Sequence, residues 1–219
     1  MLAKHKVLIK EGGVMKRPVV FVMLVVVAGT VAAGTAFAEP VNSINFGLGG
    51  VVQTMPHCKA NIYLVEYEHM LDSKLAVLGR GSDIDYKFDD GRYLEKGRPR
   101  GLDIGVRYYP AGGMKGIFFG GTVGYWKTDW TFTNDKGMVS ESQGKGDSKA
   151  IRANVDIGAR FPIGSSPVSI MPALQVGRFF SSTTCEYTAP ASRAGTSCSQ
   201  DGEVSAFYGF LAVSIGIGF

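Results

Sequence analysis

The stretch that decides the fold is the last one in the sequence, residues 203–219, which read EVSAFYGFLAVSIGIGF. Apolar side chains occupy every second position at its end, namely Leu211, Val213, Ile215, Ile217 and Phe219, with only alanine, serine and glycine between them. Successive side chains of a β-strand point to opposite faces, so this alternation predicts a strand with one apolar face. We interpret 203–219 as a β-strand that ends on an aromatic residue.

The same alternation recurs in the middle of the chain. In 150–161 the odd-numbered positions are apolar, whereas the even-numbered positions include Arg152, Asp156 and Arg160. Residues 101–109 follow the same pattern, so each predicted strand has one apolar and one charged face. After residue 38 no stretch is apolar and long enough to cross a bilayer as a helix, so a membrane role requires strands.

The pattern predicts eight strands separated by connections of two kinds. The strands are predicted at 44–53, 60–70, 74–86, 100–109, 116–132, 150–161, 168–180 and 203–219. Short connections follow the second, fourth and sixth strands (71–73, 110–115 and 162–167), and long polar ones follow the third, fifth and seventh (87–99, 133–149 and 181–202). A soluble sandwich also alternates, but this asymmetry of connections is typical of membrane barrels. We predict an all-β fold, an eight-stranded antiparallel transmembrane β-barrel.

The fifth predicted strand, 116–132, carries large apolar side chains on both faces. Phe119 and Tyr125 share one face, and Trp126 and Trp130 share the other. Either a β-bulge or a strand that projects beyond the membrane explains this pattern.

The N-terminal part of the sequence has the features of an export signal. Lys16 and Arg17 precede an apolar run at 18–34, and Ala36-Phe37-Ala38 has the small-x-small pattern of a signal-peptidase site. We predict an upstream extension and cleavable signal peptide over 1–38, with Met15 as the true start, and a barrel domain over 39–219. A permanent transmembrane helix is the alternative, but it lacks such a cleavage site.

The charge balance argues against nucleic-acid binding. Residues 1–38 contain five of the 23 Lys and Arg residues and one of the 19 Asp and Glu residues, which leaves 18 of each sign in 39–219. The formal charge of +4 therefore belongs to the leader. No basic excess remains to attract a polyanion.

Three cysteines follow the predicted leader: Cys58, Cys185 and Cys198. An exported chain meets an oxidising compartment, where thiols pair. Cys185 and Cys198 share one polar segment and are the predicted disulfide. In a closed barrel the first and last strands are neighbours, so Cys58 is an alternative partner for either. The spacing does not suggest a zinc site.

At this point the chain resembles bacterial outer-membrane barrels, whose last strand commonly ends in Phe. The eight predicted strands are similar to the small OmpA/OmpX-type barrels, although the resemblance in motif covers only the last strand and the signal peptide. It implies location in the cell outer membrane, a monomer, and contact with outer-membrane lipids and lipopolysaccharide. It also implies an assembly signal, read by the barrel-assembly machinery, made of Leu211, Val213, Ile215, Ile217 and Phe219.

An eight-stranded barrel has an interior that side chains fill or that holds one small ligand. The predicted lumen residues are charged: Glu66, Glu68, Asp103, Arg107, Arg152, Asp156 and Arg160. Mixed signs favour a network of salt bridges that plugs the lumen. The alternative is a narrow polar channel, for which Gly47, Gly49, Gly105 and Gly158 offer either space or tight packing.

The sequence predicts neither a catalytic site nor a cofactor. Ser-His-acid chemistry needs a histidine beside a nucleophilic serine, and the predicted barrel domain has only His57 and His69. We expect a structural or interaction role. The alternatives are a narrow pore or carrier for small solutes and, more weakly, a lipid-modifying barrel enzyme in which His69 is the base.

Overall fold

The computed structural model describes residues 40–51, 57–198 and 202–219. They contain eight strands: β1 Asn42–Val51, β2 Cys58–Met70, β3 Leu75–Asp89, β4 Leu94–Tyr108, β5 Gly116–Asn134, β6 Ser142–Pro162, β7 Val168–Ala189 and β8 Gly202–Gly218. Each strand pairs antiparallel with the next, and β1 pairs with β8 to close the barrel. The predicted all-β, eight-stranded antiparallel barrel is confirmed.

Two predictions about the leader lie outside this region. The start at Met15 and the cleavage after Ala38 fall on residues that the structure does not describe, and they stay predictions. Among the described residues, no helix is long and apolar enough to span a membrane.

The outward face of the barrel is apolar near Pro40 and Phe219. We call the end with Pro40, Phe219 and the three short turns the turn end, and the opposite end the loop end. The outward side chains above the turn end form what we call the apolar belt, in which Leu102 is 72 % and Ile104 is 69 % exposed. Soluble proteins rarely expose so continuous an apolar surface, and a closed barrel pairs its backbone groups within the sheet. The belt is therefore the lipid-facing surface.

The belt extends over all eight strands. Its exposed members are Leu48, Tyr63, Val65, Tyr67, Val77, Leu102, Ile104, Val106, Tyr108, Ile117, Phe119, Val123, Tyr125, Ile151, Val155, Ile157, Phe161, Ile170, Leu174, Val176, Phe180, Phe207, Leu211, Val213, Ile215 and Phe219.

Strands β3 to β7 continue further towards the loop end than the sequence predicted. Strands extend into each of the long polar loops expected at 87–99, 133–149 and 181–202, and shorter connections remain between Asp89 and Leu94 and between Asn134 and Ser142. The prediction was wrong because the pattern inverts there. Polar residues point outward and aromatic ones point inward, so a search for apolar outward positions ends too early.

The fifth strand shows this inversion most clearly. β5 pairs without a register shift with both neighbours, so the interpretation as a projecting strand holds and the bulge does not. On its outward face the apolar Tyr125 is followed by the exposed Lys127 and Asp129. On its inward face Trp126 and Trp130 are buried. We call the part of the barrel beyond the belt the upper section.

The last strand closes the barrel against β1 from Phe210 to Gly218. Phe219 and Asn42 exchange two backbone hydrogen bonds of 2.9 Å, which extend the ladder to the last residue. Leu211, Val213, Ile215 and Phe219 are about half exposed, as an outward row should be. Ile217 departs from the expected exposure. It is only 6 % exposed, and Ile44 and Val168 are its direct partners on the two neighbouring strands.

Candidate functional site

All seven charged residues predicted for the lumen point inward and are at most 3 % exposed. Their strands place them on successive inward positions, as the alternation requires. Arg80 on β3 joins them, also 3 % exposed, although the sequence analysis did not name it. The register places Arg80 directly between Glu66 on β2 and Asp103 on β4, and strand pairing would have been the signal that identified it.

Glu66 accepts the largest number of hydrogen bonds in this network. Its Oε2 accepts from Arg80 Nε at 2.9 Å and Nη2 at 2.7 Å, and from Arg107 Nη2 at 3.1 Å. Its Oε1 accepts from Arg107 Nη1 at 2.8 Å and from Asn45 Nδ2 at 3.0 Å. Five donors on one carboxylate satisfy both of its oxygens, so this buried charge is fully compensated.

Glu68 lies one inward position closer to the turn end. Its Oε2 accepts from Arg160 Nη2 at 2.6 Å and from Arg107 Nη1 at 3.0 Å. The hydroxyl of Tyr109 donates to its Oε1 at 2.8 Å. Arg107 therefore bridges the two glutamates of β2.

The two aspartates complete the network towards the loop end. Asp156 pairs with Arg80, and its Oδ2 lies 3.5 Å from Arg107 Nη2. Asp103 pairs with Arg152 Nη2 at 2.6 Å and accepts from the indole Nε1 of Trp126 at 2.9 Å. Each of the four carboxylates of the network thus has at least one arginine partner.

The charges of the network cancel. The buried charged residues of the described chain are four arginines and four carboxylates, so the net charge is zero. Removing ions from water costs several kcal/mol each, and pairing offsets that cost only where geometry and hydrogen bonding are good. The carboxylates meet both conditions, whereas five buried guanidinium nitrogens have no hydrogen-bond partner among the described residues: Arg80 Nη1, Arg107 Nε, Arg152 Nε and Nη1, and Arg160 Nε.

Three apolar clusters fill the lumen on either side of the charges. The cluster at the turn end consists of Met70, Ala76, Tyr109, Met114, Phe118, Met171 and Ala173. The middle cluster consists of Ile62, Ile84, Trp126, Ala150 and Phe210, with Ala60, Phe179 and Tyr208 packed against it. The cluster of the upper section consists of Trp130, Phe132, Cys185 and Cys198, with Tyr93 and Tyr187 packed against it.

Cation–π contacts join the charges to these clusters. The guanidinium of Arg107 lies 4.2 Å from the ring centre of Phe118, and that of Arg152 lies 4.3 Å from Trp126. Such contacts are stronger where water is excluded. Side chains therefore occupy the lumen from the turn end to the upper section.

The lumen glycines accommodate large neighbours and leave no channel. A Cβ added to Gly158 would overlap Phe118, and one added to Gly101 would overlap Trp126. In each case the aromatic residue is the direct cross-strand partner of the glycine. At Gly47, Gly49 and Gly105 an added Cβ would likewise overlap neighbouring atoms, so all four glycines weighed in the sequence analysis are tightly packed.

The predicted disulfide is formed in the upper section. Cys185 and Cys198 are bonded, with their Cα atoms 5.5 Å apart, and both are buried. A backbone hydrogen bond of 3.2 Å from Cys198 N to Cys185 O runs beside the bridge. The bridge ties the connection after β7 to the inner face of the barrel.

Cys58 is free and does not replace either disulfide partner. It starts β2 and pairs with Phe88 on β3, away from the bridge. Burial, and secondarily the carboxylate of Glu95, raise the pKa of the Cys58 thiol. The protonated thiol is the unreactive form, so Cys58 is not an activated nucleophile.

The two histidines lie at opposite ends of the barrel. His57 precedes β2 at the loop end, where its carbonyl accepts from the backbone N–H of Asp89 at 3.1 Å. His69 lies near the turn end, and its Nδ1 is 2.8 Å from the amide oxygen of Asn42. Asn42 also accepts from the hydroxyl of Tyr67 at 2.7 Å. Neither histidine joins the charge network.

A closed antiparallel barrel with an outward apolar belt defines a class of protein, the transmembrane β-barrels of bacterial outer membranes. No protein-family model and no curated protein sequence matches the chain. Several solved protein structures are similar to it. A major outer membrane protein of Thermus thermophilus is similar over 81 % of this chain and 98 % of its own, with 14 % identity and a TM-score of 0.50.

Two further solved structures are similar at lower scores. The outer membrane protein OprG of Pseudomonas aeruginosa covers 83 % of this chain and 97 % of its own, with 12 % identity and a TM-score of 0.44. The translocator domain of the autotransporter NalP of Neisseria meningitidis covers 91 % and 94 %, with 10 % identity and a TM-score of 0.43. At these identities the likeness concerns the fold, and the Thermus protein supports the barrel seen here.

Proposed function

We propose that this outer-membrane barrel has a structural or interaction role and does not transport solutes. The observation that carries the proposal is the filled lumen, in which a charge-neutral network lies between tightly packed apolar clusters. A solute would have to displace buried arginines that are paired with buried carboxylates. Contacts with other molecules are therefore left to the outer surface.

The upper section supplies that surface. We propose that the loop end faces the cell exterior, because long connections of such barrels are extracellular and their short turns periplasmic. Its outward side chains are polar and of both signs, including Arg98, Asp129, Lys145 and Glu186. With the disulfide behind it, this wall of the barrel is a rigid platform for a partner.

The same proposal includes a monomer whose last strand is read by the barrel-assembly machinery. The alternating row from Leu211 to Phe219 and its backbone ladder with β1 support it, since the last strand must be recognisable before the barrel closes. We propose outer-membrane lipids as the partners of the apolar belt.

The alternative of a narrow pore is tested by solute permeation. We would reconstitute the protein into liposomes and follow their swelling in solutions of small sugars and amino acids. The proposal expects swelling at the rate of protein-free liposomes, with an open porin as the positive control. Swelling that increases with the amount of reconstituted protein would favour the pore.

The other alternative, a lipid-modifying enzyme, has less support. Its chemistry requires a serine hydroxyl within hydrogen-bond reach of a histidine. Within the described residues the hydrogen-bond partner of the His69 ring is the amide of Asn42, which cannot act as a nucleophile. We therefore propose a non-enzymatic role. Lipid turnover that is lost in His69→Ala would contradict it.

A further inference from the structure

Three neighbouring strands change from apolar to basic at the same level of the outer wall. On β4 the belt ends at Leu102, and the next outward residue is Arg100. On β5 Tyr125 is followed outward by Lys127. On β6 Ile151 is likewise followed by Lys149. Arg100 pairs directly with Lys127, and Lys127 with Lys149. We call Arg100, Lys127 and Lys149 the basic row.

The basic row is an unfavourable arrangement unless an anion is bound. Directly opposed like charges on adjacent strands destabilise a sheet. Strands lie about 4.8 Å apart, so the row brings three cations within about 10 Å. The side chains of Arg100 and Lys127 are 58 % and 55 % exposed, so they can reach a common ligand beyond the wall.

Acidic residues lie beside the row and on its loop-end side. Both carboxylate oxygens of Asp83 are held by Arg98, at 2.8 and 2.6 Å, which leaves Arg100 at 3.9 Å. Lys127 lies 3.7 Å from Asp129, a loose contact between two exposed groups. Asp147, the acid closest in sequence to Lys149, accepts from the hydroxyl of Thr184 at 2.8 Å. Asp129 and Asp147 each lie one outward position closer to the loop end than the row, so on β5 and β6 the row is the first charged level beyond the belt.

The position is specific to one side of the barrel. At the same level the direct partner of Lys149 on β7 is Ser182, and the partner of Arg100 on β3 is Asp83. On β2 the residue that follows Tyr63 outward is Asn61. The edge of the belt does not by itself require basic residues, so the row is a feature of β4 to β6.

The belt is indented beside the row. Two successive outward positions of β3 are Gly79 and Gly81, which pair with Ile104 and Leu102 on β4. A Cβ added to Gly79 would meet nothing within 4 Å, and one at Gly81 would meet only Leu102, at 3.6 Å. Because glycine weakens a strand, two of them on the lipid face suggest space for a chain that packs closely there.

We propose that the basic row binds the phosphate of an outer-leaflet lipid whose acyl chain lies along the glycine indentation. Cations at the edge of an apolar belt meet lipid headgroups, and Lys and Arg there attract anionic ones. A phosphorylated glycolipid of the lipopolysaccharide type fits, since its phosphates and its chains would engage the row and the belt together. The inference rests on the proposed membrane orientation.

The test measures how much lipopolysaccharide the purified protein retains in detergent, by native mass spectrometry. The variant Arg100→Gln/Lys127→Gln/Lys149→Gln removes the row. Its matched control, Arg92→Gln/Lys136→Gln/Arg193→Gln, removes three positive charges at the loop tips. Circular dichroism and heat-modifiable gel migration verify that each variant folds.

We expect the row variant to bind lipopolysaccharide roughly 100-fold more weakly, since each basic residue at an anionic surface contributes about a factor of five. The control should bind like wild type. Wild type and the row variant should bind dephosphorylated lipopolysaccharide equally well. Added salt should reduce binding, because screening weakens exposed charge contacts. Equal retention by the row variant and its control would overturn the proposal.

Inorganic phosphate distinguishes a lipid site from a site for a free anion. Millimolar phosphate should compete weakly with lipopolysaccharide. If phosphate alone binds to the row as tightly as the lipid does, the lipid is not the ligand. The lipid-binding result and the conduction result are independent. A barrel that conducts ions could still bind lipopolysaccharide, and a barrel that does not conduct could fail to bind it.

Discussion

Replacing Glu66 by glutamine should destabilise the barrel strongly. The change keeps the shape of the side chain but leaves Arg80 and Arg107 facing a neutral amide, and the lumen changes from a net charge of zero to +1. Removing one partner of a buried ion pair costs about 3–5 kcal/mol, because the remaining charge is uncompensated. Glu66 is 1 % exposed and accepts from both arginines, so we expect the upper part of that range.

The free energy of unfolding would be measured by urea titration of the protein in phosphatidylcholine vesicles, with matching unfolding and refolding curves as the check of reversibility. Glu186→Gln is the matched control, since it removes the same charge from an exposed pair with Lys145 whose side chains are 49 % and 62 % exposed. Such surface pairs contribute at most about 1 kcal/mol.

A second substitution tests the reason for the loss. In Glu66→Gln/Arg107→Met the network is neutral again, and each remaining carboxylate keeps an arginine: Glu68 keeps Arg160, and Asp156 keeps Arg80. The double variant should lose less unfolding free energy than the two single variants lose in total, by about 0.5–3 kcal/mol. If Glu66→Gln costs no more than the Glu186 control, buried charge compensation is not what holds the lumen together.

Two further perturbations follow from the same structure. Gly101→Val should lower the free energy of unfolding by about 1–3 kcal/mol, because the added side chain overlaps Trp126. Gly79→Ala on the lipid face should leave the free energy of unfolding unchanged or raise it. Equal effects of the two variants in urea titrations would contradict the tight packing of the lumen glycines. Reducing the Cys185–Cys198 bridge should lower stability by about 3 kcal/mol, since it closes a loop with a sequence separation of 13. Non-reducing peptide mapping that finds both thiols free would refute the bridge.

The barrel was predictable because the side chains that face lipid are apolar and recur at every second residue of a strand. In 150–161 every outward position is apolar and the charged positions face inward, so strand, face and lumen residue follow together. Glu66, Glu68 and Asp103 were found by the same rule. The Cys185–Cys198 pairing was also predictable, because both residues fall in one polar segment of the sequence, 181–202.

Other parts of the site depended on information that one strand does not contain. Arg80 becomes a lumen residue only through its register between Glu66 and Asp103. The glycines were ambiguous until their cross-strand partners, such as Phe118 for Gly158, were known. The strands of the upper section were taken for loops because water outside and aromatic residues such as Trp130 inside reverse the membrane pattern.

The single-channel current of the wild-type protein in a planar lipid bilayer tests the central claim most directly, with an open porin in the same bilayer as the positive control. A lumen filled by four arginines, four carboxylates and three apolar clusters predicts a flat trace at the protein-free baseline across the applied voltages. Reproducible current steps of defined size from wild-type barrels would contradict it.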